Sequence, residues 1–181
     1  ATGKTDKLVE NPGKLSSMAW SPDGRHIAFV SAADINDPVS GSLFIVPAVP
    51  GQNFDQLRNY TEGFEGSVHE VKWHNDNTVL YSSTESVDIT LSAFEIGEEE
   101  REVLLEGGQV VFNGFYVEGN PVVLGGNTPT NPSDLYLFDL RREELKKLTD
   151  LNPWVAEKAL GRQEKISYEA RDGLRIDGVL I

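Results

Sequence analysis

Three histidines, His26, His69 and His74, are the side chains of this sequence best suited to passing a proton near neutral pH. A nucleophilic site would need one of them beside a hydroxyl or thiol, with a third group to orient the ring. The chain has no cysteine, so thiol chemistry and disulfides are both excluded. No Gly-x-Ser-x-Gly turn, the elbow that lifts a serine nucleophile above an α/β sheet, occurs in its 181 residues. Each histidine falls in a stretch of strand or turn character and reads as a surface or packing residue.

Other chemistries fare no better. His69 and His74 stand five apart on a strand pattern, which turns their side chains to opposite sides, and no third metal ligand is nearby. The stretch Ala33-Asp34-Ile35-Asn36-Asp37-Pro38 carries two carboxylates and an amide. It lacks the twelve-residue calcium-loop pattern and reads as a crossover loop. Glu98, Glu99, Glu100 and Glu102 read as a solvated hairpin that keeps a sheet edge from pairing. Glu62 and Glu65 lie on a loop. Gly125-Gly126-Asn127 leaves a strand without entering a helix, so it reads as a loop and not a phosphate cradle. No residue is assigned a catalytic, cofactor-binding or metal role, and no cofactor is expected.

The elements that would position any site repeat. Trp20, Trp73 and Tyr116 each close a strand and are followed by turns, Ser21-Pro22-Asp23-Gly24, His74-Asn75-Asp76-Asn77 and Val117-Glu118-Gly119-Asn120. Second strands follow at 27–30, 79–82 and 122–125, and third strands at 43–46, 91–94 and 135–138. Shorter, more polar fourth strands are expected at 56–61, 101–105 and 145–149. Pro22 presets the first turn dihedral, Asp23 can bond local backbone, and Gly24 accepts the left-handed conformation, a place Asn77 would take in the second copy. Four strands repeated at this spacing predict an all-β fold, a partial β-propeller of about three four-stranded blades. The three aromatics are expected to pack between blades as core. An open arc leaves two apolar blade faces uncovered, and residues 6–10 read as the last strand of a preceding blade.

Composition agrees. With 39% hydrophobic and 25% charged residues the chain is neither disordered nor membrane-spanning in character. A net charge of −13 denies it the positive field that nucleic acids or anionic membranes require, so neither is an expected partner. The same balance argues against a lyase for acidic sugars.

The last thirty or so residues depart from the repeat. After Leu148-Thr149-Asp150-Leu151-Asn152-Pro153-Trp154, residues 155–160 predict about two helical turns. Residues 164–170 then alternate, turn at Arg171-Asp172-Gly173, and alternate back through Leu174, Ile176 and Leu180, a β-hairpin.

The Trp20-Ser-Pro-Asp-Gly24 blade, the Leu148-Thr149-x-x-Asn152 exit and the hairpin of residues 164–178, taken in order, resemble the prolyl oligopeptidase family of serine peptidases. The likeness is strongest to its acylaminoacyl-peptidase and dipeptidyl-peptidase branch. The resemblance implies blades over 1–150, a linker over 151–163, and over 164–181 the first strands of an α/β-hydrolase domain, cut off. It implies a non-catalytic segment that gates short peptide substrates, inside a parent that works through an acyl-enzyme. Expected partners are the missing blades and hydrolase domain, or a second copy of the arc, together with a short peptide. The family's triad is absent here, as is the acidic helix by which dipeptidyl peptidases grip a substrate amine. A TolB-like propeller serving as a protein-binding scaffold is the alternative, and the hairpin argues against it. The cytoplasm is the expected compartment, the periplasm the second choice.

Overall fold

A computed structural model describes residues 3–36 and 40–181. It contains thirteen β-strands, two short 3-10 helices and no α-helix among the described residues. The chain divides into two compact units, 1–83 with 92–102, and 84–91 with 103–181.

In the first unit β1 (Leu15–Trp20), β2 (His26–Ala32) and β3 (Gly41–Pro47) form one antiparallel sheet in sequence order. The β1–β2 turn is built as its residues dictate. Gly24 sits at φ +71° and donates its N–H to the Ser21 carbonyl at 2.9 Å. Asp23 Oδ1 accepts from Ser21 Oγ and from the Arg25 N–H, and these bonds with the Arg25 side chain hold its carboxyl well below the usual range. A Cβ at Gly24 would meet nothing, so substitution there acts through the backbone alone. Gly24→Ala should cost about 1–2 kcal/mol in urea denaturation, and Gly24→Asn distinctly less.

The second sheet runs β4 (Ser67–Trp73), β5 (Thr78–Glu85), β6 (Asp88–Glu95) and β7 (Glu102–Leu105). Its first turn differs from the expectation for Asn77, which stays out of the left-handed region. Asn75 Oδ1 instead accepts both the Asn77 and Thr78 N–H groups, and the His74 N–H donates to the Thr78 carbonyl at 2.9 Å to close the turn.

The first copy lacks its fourth strand. Residues 56–61 hold the end of a 3-10 helix, Phe54–Gln56, and a single bridge from Asn59 to Phe44. Asn59 Oδ1 accepts from the backbone and hydroxyl of Thr61, while Thr61 Oγ1 accepts the Leu43 N–H. Side chains thus take donors that a ladder would have used. Nor do residues 6–10 form a strand: Val9 makes one parallel bridge to Gln52.

Both faces of β2 and β3 are covered. Ala28, Val30, Leu43 and Ile45 pack with Val68, Val71, Trp73, Val79, Tyr81 and Phe94. Ile27, Phe29, Phe44 and Val46 form a second cluster, backed by Leu8, Val9, Phe54 and Leu57. The strand-end aromatics are not equivalent. Trp73 is 8% exposed and donates Nε1–H to the Ala19 carbonyl at 2.9 Å. Trp20 is 61% exposed, because Ser17 and Ala19 point to β4 and Met18 and Trp20 point the other way.

In the second unit β8 (Val111–Val117), β9 (Pro121–Thr128), β10 (Asn131–Asp139) and β11 (Glu144–Lys147) form the third sheet. Phe112, Phe115, Val122, Leu124, Tyr136 and Phe138 are its buried hydrophobic residues. Tyr116 is 60% exposed and is no core residue. The register slips between Phe112 and Phe115, which hands the inward face to Phe115 and turns its neighbour out. Gly125, Gly126 and Asn127 belong to β9 and not to a loop. A Cβ on Gly126 would lie 2.6 Å from Val110 Cγ2 and 2.9 Å from the Val111 carbonyl, so glycine lets β8 pass close by.

The helical turns expected over 155–160 appear instead as a single short 3-10 helix that starts two residues earlier, Pro153–Glu157. Pro153 opens it, and the i→i+3 bonds Val155 N–H to Asn152 and Lys158 N–H to Val155 complete it. The hairpin forms as expected, β12 (Glu164–Glu169) against β13 (Arg175–Leu180), with Gly173 at φ +86°. No helix among the described residues is long and apolar enough to cross a membrane.

Candidate binding groove

A hollow of about 530 Å³ lies within the second unit. The β9–β10 tip floors it with Asn127, Pro129 and Pro132, and the exit segment walls it with Trp154, Leu160 and Gln163. A second hollow of about 230 Å³ shares Asn127, Pro129 and Gln163 with it and runs on to Asp88 and Lys165. Together they make a groove of apolar rings and amides with charged side chains, Asp88, Glu164 and Lys165, at the end of the smaller hollow, of the volume that holds small ligands.

Local sequence explains its walls. Pro129-Thr130 is a two-residue turn between Thr128 and its partner Asn131, and proline presets the first turn dihedral. The register then slips between Asn131 and Asp134, which carries Asp134 inward to 1% exposure. There its carboxylate is fully bonded. Oδ2 accepts from Asn131 Nδ2 and Lys147 Nζ, each at 2.9 Å. Oδ1 accepts from Thr149 Oγ1 at 2.7 Å and from the Leu151 N–H at 2.9 Å. The Lys147 ammonium first, then the Leu151 and Thr149 donors, lower its pKa to about 2 against the opposing pull of burial. The same cluster clips the departing chain to β10, since Thr149 Oγ1 also accepts the Leu135 N–H. From that anchor the 3-10 helix presents Trp154, which is half-exposed, with Lys158 Nζ 5.9 Å from its ring centre.

The larger hollow offers amides, the Thr128 and Thr130 hydroxyls, the Lys158 ammonium and apolar side chains. Among the described residues lining the larger hollow there is no histidine, serine, aspartate or glutamate. His26 lies 6.2 Å from the Trp73 ring, His69 is exposed on β4, and His74 follows Trp73. No group of acidic, histidine or cysteine side chains among the described residues could hold a metal ion. Asp34 spends Oδ1 on the Asn36 N–H, as a loop residue does, and Asp37 and Pro38 lie outside the described residues. Glu62, Glu65, Glu98, Glu99 and Glu100 are exposed in turns. Neither Asp134 nor the groove was visible in the sequence. The one signal for either was the pair of prolines, Pro129 and Pro132, around a polar turn.

No protein-family model matches the chain, and no curated protein matches it. Solved structures do. The acylaminoacyl peptidase of Pyrococcus horikoshii aligns at a TM-score of 0.70 and 21% identity, over 99% of this chain and 26% of its own. Dipeptidyl peptidase 4 of Porphyromonas gingivalis aligns at 0.63 and 14% identity, over 94% of this chain and 25% of its own. The TolB of Agrobacterium tumefaciens aligns at 0.60 and 13% identity, over 77% of this chain and 49% of its own. The chain therefore spans about a quarter of the length of the peptidases it matches. It has the all-β, propeller-like fold found in them, which is the fold the sequence resemblance implied.

Proposed function

We propose that this chain is a non-catalytic, substrate-gating propeller segment of a serine peptidase that cleaves short peptides. One observation carries the reading. A match over 99% of the chain leaves no room to omit Glu164–Ile181, so the acylaminoacyl peptidase shares the hairpin as well as the blades. The TolB match, at 77%, leaves room to omit it. A scaffold made only of blades has no use for a hairpin that leaves the last blade. The groove beside that hairpin, whose larger hollow is lined by rings and amides without histidine, serine or carboxylate, supports a role in holding peptide.

On this reading the remaining blades and a hydrolase domain belong to the same natural polypeptide. Its serine would attack the peptide carbonyl, giving up its proton to the leaving amine through histidine. Water would then release the acyl group from the serine. The native gene product tests this by intact mass, by its sequence beyond Ile181, and by labelling with a fluorophosphonate. The expected result is a product several times heavier, labelled at a Gly-x-Ser-x-Gly serine, that cleaves short peptides and spares folded proteins. An unlabelled product without that elbow would overturn the proposal in favour of a binding propeller.

A further inference from the structure

Two antiparallel strands standing alone are marginally stable in water and need a partner surface. The β12–β13 hairpin is such a pair. Every residue of β12 is exposed, and only Ile176, Asp177 and Gly178 of β13 are half-buried. Its seat is polar. Lys165 Nζ donates to Asp88 Oδ2 at 2.9 Å, and Ser86 Oγ donates to Asp177 Oδ2 at 2.5 Å. The other Asp177 oxygen takes the Ser167 hydroxyl, and Arg175 lies 3.7 Å away. Val87 and Val179 both line the 230 Å³ hollow, and Ile166, Tyr168, Val179 and Leu180 of the hairpin are exposed, so apolar packing does little to glue the hairpin down.

Ser86 is the first residue of the two-residue tip of the β5–β6 hairpin, Ser86-Val87, and Asp88 follows it; residues 84–91 cluster with the third sheet and with β12–β13. The tip is shaped for these contacts. Ser86 sits at φ +61°, where glycine would be relaxed but would bring no hydroxyl. Asp88 is held against Gly107, where a Cβ would fall 2.3 Å from its own. The Asp88 bond raises the Lys165 pKa, and the Ser167 and then the Ser86 hydroxyls lower that of Asp177, so both partners stay charged across the neutral range.

We infer that Ser86-Val87-Asp88 is a latch: its two polar contacts hold the β12–β13 hairpin seated, and breaking either one frees the hairpin while the third sheet stays folded. This device stands whether or not the chain serves a peptidase. Hydrogen exchange of the full chain, followed by mass spectrometry, tests it. Asp88→Lys and Lys165→Glu should each speed exchange across residues 164–180 by about tenfold and leave β8–β10 unchanged. The combined charge swap should restore protection. Gly107→Ala, which displaces Asp88 without changing its charge, should release the hairpin as the single swaps do. Molar salt should do the same to the wild-type chain, a readout that needs no variant to fold. Unchanged hairpin exchange in the single variants and in salt would overturn the latch. So would acceleration spread evenly over the third sheet, or a combined swap that restores nothing.

Discussion

Asp134→Ala should lower the melting temperature by roughly 6–12 °C, the largest loss expected from any single polar side chain here. Four donors converge on that buried carboxylate, from Asn131, Lys147, Thr149 and Leu151, and alanine removes the acceptor they share, leaving only Lys147 its second partner, Asp150, at 3.0 Å. Asp134→Asn keeps the shape but leaves the Lys147 ammonium facing a neutral amide, so it should recover only part of the loss. Acid gives an independent check. The carboxyl titrates near 2 when folded, against an ordinary 3.8. Its stabilisation is therefore complete above about pH 4 and is lost as the pH falls from there toward 2. Melts by circular dichroism between pH 7 and pH 2 should show a steeper acid loss in the wild-type chain than in Asp134→Ala. Parallel curves would mean that the cluster contributes nothing.

Trp73→Ala should cost about 3–5 kcal/mol in chemical denaturation, and Trp20→Ala less than about 1 kcal/mol. The two tryptophans occupy the same place in the repeat, yet only Trp73 is enclosed and hydrogen-bonded across to β1. Its removal opens a cavity among Val71, Val79 and Phe94 and leaves the Ala19 carbonyl without its donor. Trp20 loses contact mostly with solvent. Equal costs would mean that the Met18–Trp20 face of β1 is covered in solution, as the association of two arcs would require.

The contrast also shows where the sequence stops being readable. Turns written in local chemistry came through. Gly24 and Gly173 take the left-handed conformations that Asp-Gly pairs announce, because those preferences are settled within four residues. Strand order within each sheet came through as well, since adjacent hairpins follow from short connections. Features decided by a distant partner did not. The Tyr116 side chain changes face because a bulge, unmarked in the sequence, slips the register. Residues 56–61 look like a strand, but Asn59 and Thr61 divert the bonds a strand needs. Gly125-Gly126 resembles a loop until β8 is seen to run against Gly126. The groove is assembled from a turn and an exit segment more than twenty residues apart, and no pattern links their residues. The absence of a catalytic assignment rests on composition and on the missing elbow, both of which are plain in the sequence itself.

The clip at Asp134 has a mechanical meaning. A pull on the segment beyond Leu151 meets the Leu151–Asp134 bond first, then the Thr149 hydroxyl wedged between Asp134 and Leu135. Only after both give way does tension reach the β10–β11 ladder, where it would otherwise open the pairs one at a time from Tyr136–Lys147. A side-chain knot therefore acts as a strain relief at the cable's exit, and the sheet behind it feels the load last.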